Sequence, residues 1–134
     1  MEEKITVSGS VLPGTYATHL RSGDHTLVAD EPVEKGGQNS GPAPDVLLCM
    51  SLASCTVITL RMYAARKQWE IGRIDVDVHL ITATDGSRYF ERTVRCTEPL
   101  NEEQHTRLLS VANKCPVHKL LSQANTIHTQ WLAE

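Results

Sequence analysis

The chain has 134 residues, the size of one ordinary domain, and a chain of this length buries roughly two-thirds of its unfolded surface in a single core. Thirteen Lys and Arg against sixteen Asp and Glu give a formal net charge of −3, and 4% of the residues are aromatic. This composition argues against a surface that follows phosphates or stacks bases. We therefore expect a single domain over residues 1–134 and no nucleic-acid partner.

The start of the chain and its longest apolar run bear on location. Met-Glu-Glu-Lys opens the sequence, without the apolar run and cleavage site of a secretory signal. We expect a cytoplasmic protein, in which the four cysteines stay reduced unless they are redox-active. The uncharged stretch Val46–Leu60 is shorter than the roughly twenty residues that a bilayer core requires. It is predicted to be a buried core helix, with no membrane partner.

The first thirty residues carry the signals of extended chain. Ile5 and Val7 alternate with polar neighbours, and a Ser-Gly-Asp turn separates the runs Thr15–Leu20 and Thr26–Ala29. This pattern predicts an N-terminal meander of two or three strands.

A loop rich in glycine and proline, Asp30 to Pro44, leads into the main helix, and its length indicates a functional or interface role. Pro44 suits the first turn of a helix, and Asp45 favours the positive end of the helix dipole. Cations near the other end predict that the helix continues to Lys67. Its first four turns are apolar nearly all round, so we expect that half to be enclosed on most sides.

The second half of the chain predicts a hairpin. Strict alternation from Ile74 to Leu80 is typical of a half-buried strand, and Asp85-Gly86 turns the chain into a second strand, Arg88 to Thr97. Cys96 falls in phase with the apolar positions of that second strand and is expected to pack there.

Two further helices and a strand are expected after the hairpin. Asn101 and Gln104 form the signature of a capping box, and Pro116 interrupts the helix that follows, which places Cys115 at a break. A short helix from Pro116 to about Ala124 and a final strand, Thr126–Leu132, complete the chain. This order of elements predicts an α+β fold with an antiparallel sheet.

Cys115 has the sequence surroundings of a reactive thiol. It precedes a helix, so unpaired backbone N–H groups point toward its sulfur, and His118 and Lys119 lie within one turn. A Cys115 that merely caps the helix as a small apolar residue fits the local pattern equally well. Cys55 lies in the middle of the apolar helix, where desolvation raises the pKa of a thiol. The residues alone therefore favour Cys115 as the better thiolate.

The other candidate ligands and nucleophiles form no recognisable site. Cys49 has no cationic neighbour in sequence and is expected in the core. Zinc bound by Cys115 and His118 would need a second close pair of ligands, which is missing. No hydrolase, nucleotide-binding or metalloprotease motif occurs, so no metal or cofactor is predicted and thiol chemistry remains. Most of the following histidines, which have no partner at a suitable spacing, are expected at the surface: His25, His79, His105 and His128.

Three segments carry a family resemblance: Gly41–Leu48, Ser51–Thr56 and Cys115–Lys119. They resemble the OsmC/Ohr family, the osmotically inducible and organic hydroperoxide resistance proteins, and look closest to its broad OsmC-like branch. The stretch from His25 to Pro32 fits as well. The resemblance implies antiparallel sheets wrapped around the long central helices of an intertwined homodimer.

The resemblance also implies an activity and a set of site residues. Such proteins reduce organic hydroperoxides in oxidative stress defence; by position, Cys55 matches the peroxidatic cysteine and Cys115 the resolving one. Asp45 falls where the family commonly has a Glu that holds an Arg; Arg21 is the best match to that Arg, with Arg92 as the alternative cation. An external dithiol, typically on a lipoylated protein, is the implied reductant. The competing hypotheses are a non-enzymatic protein that binds a small lipophile and a redox sensor.

Overall fold

The computed structural model describes residues 2–133, and their fold is α+β, as expected. The described residues separate into two compact units, one up to Met50 and the other from Ser51 onward. The single domain expected from the chain length stays a prediction. The strands and helices are β1 (Ser8–Val11), β2 (Thr18–Ser22), β3 (His25–Ala29), α1 (Pro44–Lys67), β4 (Ile74–Thr82), β5 (Arg88–Cys96), α2 (Glu102–Ala112) and α3 (Pro116–Leu121).

The first unit contains the predicted meander. Strands β1, β2 and β3 form an antiparallel sheet in that order, with Leu20 opposite Leu27. Ile5 and Val7 lie before the first strand, with 92% and 60% of their surface exposed. Their alternation therefore did not mark a strand within the sheet.

Asp30, at the end of β3, organises the loop that follows. Its carboxylate is buried and accepts hydrogen bonds from the amides of Glu31, Gln38 and Ser40 and from the Ser40 hydroxyl, at 2.6–3.2 Å. Gly41 passes so close to the backbone of β3 that a Cβ there would overlap a carbonyl oxygen. The loop is thus folded onto the end of the sheet by one carboxylate.

The carboxylate of Asp30 predicts a loss of stability in acid. The Ser40 hydroxyl bond, followed by the Ser40 amide bond, lowers the pKa of Asp30 to about 2, against about 3.9 in an unfolded chain. A group with a lowered pKa stabilises the fold above its unfolded pKa, and that stabilisation disappears as the pH falls from about 4 to about 2. Asp30→Asn should therefore lower the denaturant midpoint at neutral pH and flatten its dependence on pH in this window.

Asp24→Asn provides the control for that measurement, because Asp24 is an exposed carboxylate in the turn between β2 and β3. Its midpoint should follow the parent chain at every pH. Equal acid sensitivity of Asp30→Asn and the parent would contradict the role of Asp30.

Helix α1 has the predicted bounds, Pro44–Lys67, but within one chain it is not enclosed as expected. Its buried residues recur every fourth position and so cover one side, whereas many apolar side chains elsewhere around the helix stay exposed in one chain. By length and composition alone α1 is also apolar enough to cross a membrane, and 17% of that stretch is buried. Buried are Leu52, Thr56, Leu60 and Ala64; exposed are Val46, Leu48, Met50, Ile58 and Met62.

The second unit holds the predicted hairpin and the core. Strands β4 and β5 pair antiparallel from Ile74 opposite Cys96 to Thr82 opposite Arg88. Alternate residues of β5 turn inward, including Arg92, as the strand phase indicated. The core brings the second half of α1 against α2 through Leu60, Ala64, Ile71, Leu108, Val111 and Ala112.

The two C-terminal helices begin where the sequence predicted. The side chains of Asn101 and Gln104 form the capping box of α2, and Cys115 lies at the break before α3. Helix α3 ends at Leu121, three residues earlier than expected. The strand predicted at Thr126–Leu132 is wrong: residues 124–133 form neither helix nor strand. A strand needs a neighbour for its backbone hydrogen bonds, and alternation alone does not supply one.

Candidate functional site

Two cysteines that are remote in sequence meet at the first turn of α3. The sulfur of Cys115 accepts a hydrogen bond from the amide of His118 at 3.3 Å, and the sulfur of Cys55 accepts one from the amide of Val117 at 3.5 Å. The two thiols are close enough for each to affect the pKa of the other. Helix α1 contributes Cys55 and the N-cap of α3 contributes Cys115. Successive amides therefore hold the two sulfurs side by side.

The two thiols differ in exposure. Cys115 is completely buried, whereas Cys55 is only partly buried, and both are free thiols. A small molecule that approaches the pair without a rearrangement therefore meets the sulfur of Cys55.

A guanidinium group from the hairpin reaches the same place. Arg92 donates from Nη1 to Oγ1 of Thr56, and from Nη2 to Oδ1 of Asn113 and to Nδ1 of His118, each at 3.0 Å. The hydroxyl oxygen of Thr56 lies 4.0 Å from the sulfur of Cys115. One hydroxyl group thus separates a permanent positive charge from the buried thiol.

These contacts move the pKa values of the three titratable groups in different directions. Burial opposes ionisation of Cys115, but the His118 amide, the Cys55 thiol, the Thr56 hydroxyl and the Arg92 charge together lower its pKa. Burial is the main cause of the raised pKa of Cys55, with Cys115 adding to it. Burial and the charge of Arg92 lower the pKa of His118. The negative charge of the pair is therefore favoured on Cys115.

The structure brings some of the predicted site residues together. Cys55, Cys115 and the alternative cation Arg92 share one site in the second unit. Arg21 and Asp45 belong to the first unit, where Nε of Arg21 donates to the carbonyl of Gly23 at 3.2 Å. Their role toward Cys55 stays a prediction.

Sequence reasoning assigned the positive charge near Cys115 to the wrong side chains. His118 contributes its backbone amide to the sulfur while its ring contacts Arg92, and Lys119 is exposed. Thr56 and Asn113 were missed. Thr56 left a signal, since it is the one polar residue in the buried stripe of α1. Asn113 left none, because its contact depends on the path of β5.

The remaining cysteines and histidines lie outside this site. Cys49 is half-buried, and the half-buried Cys96 packs on the core as expected, its sulfur donating to the carbonyl of Glu98 at 3.3 Å. The four histidines of which most were expected at the surface, His25, His79, His105 and His128, are exposed.

Comparison with known proteins agrees with this fold. An OsmC-like protein from Mycoplasma pneumoniae is 21% identical over 91% of this chain and 89% of its own, with a TM-score of 0.72. An organic hydroperoxide resistance protein, OsmC, from Legionella pneumophila is 18% identical over 89% of both chains, with a TM-score of 0.63. The organic hydroperoxide resistance protein OhrB of Bacillus subtilis is 26% identical over 88% of this chain and 90% of its own, with a TM-score of 0.58.

The family itself follows from the sequence match. A search of curated proteins gives no match. The model of the OsmC family, described as OsmC-like protein, matches residues 37–130, which is well over half of the sequence and includes both Cys55 and Cys115. The chain therefore belongs to the OsmC-like protein family.

Proposed function

We propose that this protein is a thiol-dependent peroxidase that reduces organic hydroperoxides through Cys55 and Cys115. The observation that carries the proposal is that the successive amides of Val117 and His118 hold these two sulfurs at one site, where Cys55 is only partly buried. Two neighbouring thiols are the requirement for a disulfide that forms without large movement of the backbone. Structural cysteines of a buried core have no need of such a partner.

The proposed reaction passes two electrons from the thiols to the peroxide. The sulfur of Cys55, as thiolate, attacks one peroxide oxygen; the O–O bond breaks, and the alkoxide leaves and is protonated to the alcohol. The sulfur of Cys115 then attacks the resulting sulfenic acid, and hydroxide leaves and is protonated to water. An external dithiol, such as a lipoylated protein, returns two electrons and two protons.

An apolar groove supports a hydrophobic substrate. The groove, of about 540 Å³, lies along α1 and begins at Thr59, one turn after Cys55 on the same helix. Met62, Tyr63 and Val111 line it further on. An alkyl or aryl peroxide laid along these side chains would present its O–O bond near Cys55, whereas hydrogen peroxide gains nothing from them. The names of the Legionella and Bacillus proteins agree with this class of substrate.

Several parts of the proposal concern the setting of the reaction. We place the protein in the cytoplasm, where a dithiol reductant is available, and we propose that it works as a homodimer. A second copy covering the exposed apolar side of α1 would also bring further residues toward Cys55. We assign to Arg21 and Asp45 the part of an Arg and a carboxylate that support the Cys55 thiolate in this dimer.

The test is disulfide formation in the reduced protein. One equivalent of cumene hydroperoxide should yield a Cys55–Cys115 disulfide, identified by peptide mapping, together with one equivalent of the alcohol. Cys49 and Cys96 should stay reduced and serve as internal controls. An unchanged thiol content after exposure to the peroxide would defeat the proposal. In that case a lipophile found by mass spectrometry of the purified protein would favour a binding protein. Oxidation that the dithiol cannot reverse would favour a sensor.

A further inference from the structure

We propose that Arg92 is a positioning residue that favours the thiolate of Cys115 through the hydroxyl of Thr56, and that neutral His118 holds Arg92 in place. This role is separate from that assigned to Arg21, because it concerns the second thiol of the pair. Its use in catalysis rests on the proposed function, whereas the ionisation of Cys115 is a property of the protein without peroxide.

Hydrogen bonds hold the guanidinium of Arg92 in place. This guanidinium contacts three acceptors: Nη1 donates to Thr56, whereas Nη2 donates to Asn113 and His118. A guanidinium only donates hydrogen bonds, so Nδ1 of His118 must accept and carry no proton. The lowered pKa of His118 agrees with a neutral ring. Arg92 is thus fixed by two acceptors and directed at a third.

The Thr56 hydroxyl has a single hydrogen, which it can donate to one acceptor at a time. Its oxygen accepts from Arg92, and its hydrogen points to the carbonyl of Leu52 at 2.6 Å while Cys115 is a thiol. A thiolate only accepts hydrogen bonds, so ionisation of Cys115 draws this hydrogen from Leu52 to the sulfur. The bond from Arg92 polarises the hydroxyl and makes it a better donor. The carbonyl of Leu52 keeps its backbone bond within α1.

Ionisation of Cys115 affects the rate at which the disulfide forms. The titratable and charged groups around Cys115 are Cys55 on α1, Arg92 on β5 and His118 on α3. Cys115 is buried, so it does not meet the peroxide first, but it must be a thiolate to attack the sulfenic acid of Cys55. Arg92 therefore accelerates formation of the disulfide and shortens the life of the sulfenic acid.

The experiment measures the ionisation of Cys115 from the ultraviolet absorbance of its thiolate as a function of pH. It uses the Cys55→Ser protein. The absorbance of the Cys55→Ser/Cys115→Ser protein is subtracted to remove the contributions of Cys49 and Cys96. Adding Arg92→Gln or Thr56→Val should each raise the pKa of Cys115 by about one unit. Thr56→Ser, which keeps the hydroxyl, should leave it where it is.

Arg95→Gln is the matched control for charge. Arg95 lies on the same strand, but its side chain is 56% exposed and pairs with Asp77 at 2.7 Å. Its removal should leave the titration unchanged. Circular dichroism verifies that each variant is folded. If Arg92→Gln is unstable, Thr56→Val still tests the proposal, because it preserves the shape of the buried side chain. An unaltered pKa in Thr56→Val, or an equal shift in Arg95→Gln, overturns the proposal.

Two further measurements separate this role from the peroxidase. His118→Asn offers an acceptor in place of Nδ1 and should retain the low pKa of Cys115, whereas His118→Leu should raise it; equal values would refute the role of His118. With Cys55 present and peroxide added, Arg92→Gln should prolong the sulfenic acid of Cys55 and increase its sulfinic form. A protein inert to peroxide would refute the proposed function and leave the titration as the test of Arg92.

Discussion

Cys55→Ser is expected to lower the rate of peroxide consumption by a factor of about 10³ or more, while Cys115→Ser still reduces one equivalent of peroxide. The prediction follows from the different accessibility of the two sulfurs to the peroxide. Cys115 is fully buried, whereas Cys55 is partly exposed one turn from the start of the apolar groove, so we expect the peroxide oxygen to reach the sulfur of Cys55.

The lower pKa of Cys115 argues for the opposite assignment, and the accessibility of the two sulfurs decides between them. A thiol with a raised pKa is still ionised in a small fraction of molecules, and transfer of its proton to the neighbouring Cys115 thiolate supplies that fraction. A sulfur that the peroxide does not touch has no route to the product. Access therefore outweighs acidity at this pair.

Mass spectrometry after one equivalent of cumene hydroperoxide checks both variants. In Cys115→Ser, a sulfenic acid on Cys55 should be trapped with dimedone. Cys55→Ser should show no oxidation at Cys115 over the same interval. Oxidation of Cys115 in Cys55→Ser, with Cys55 inert in Cys115→Ser, would reverse the roles of the two thiols.

The elements that sequence predicted well are those with local signals. Pro44, the capping box at Asn101 and Gln104, and Pro116 each act within one turn of the chain, and the helices begin there. The alternation of β4 and β5 was read correctly for the same reason. The strand expected at Thr126–Leu132 failed because a strand depends on a neighbour that local alternation does not reveal.

The candidate site was predicted in part for a related reason. The helix start at Pro116 indicates that Cys115 accepts backbone hydrogen bonds, and the structure contains that bond. The charge that reaches Cys115 comes from a strand more than twenty residues upstream, and only the tertiary fold brings it there. Arg92 shares the phase of the inward-facing apolar residues of β5, which marked it as a charged residue on the inner side of the strand. No sequence pattern connected it to Thr56.

The largest expected change in assembly comes from Ile58→Glu, which should convert the proposed dimer into a monomer. Ile58 lies one turn from Cys55 on the exposed apolar side of α1 and is itself 51% exposed. In a two-fold dimer each substitution occurs twice, and each copy loses about 1.5–3 kcal/mol of apolar burial and gains an unpaired buried charge. Light scattering over a range of concentrations measures the result, with Ile58→Leu as the control that retains the dimer.

Ile58→Glu also distinguishes the role proposed for Arg21 toward Cys55 from that of Arg92 toward Cys115. A monomeric Ile58→Glu keeps Arg92, Thr56 and Cys115 within one chain, so the titration of Cys115 should be unchanged. Peroxide consumption should fall if the partner copy encloses Cys55 and supports its thiolate. A parent protein that is monomeric at all concentrations, or an Ile58→Glu dimer as stable as the parent, would rule out this surface as the interface. With a monomeric parent, Cys55 would have to react with the groups of its own chain alone, in which Arg92 is the guanidinium that reaches the site of the two thiols.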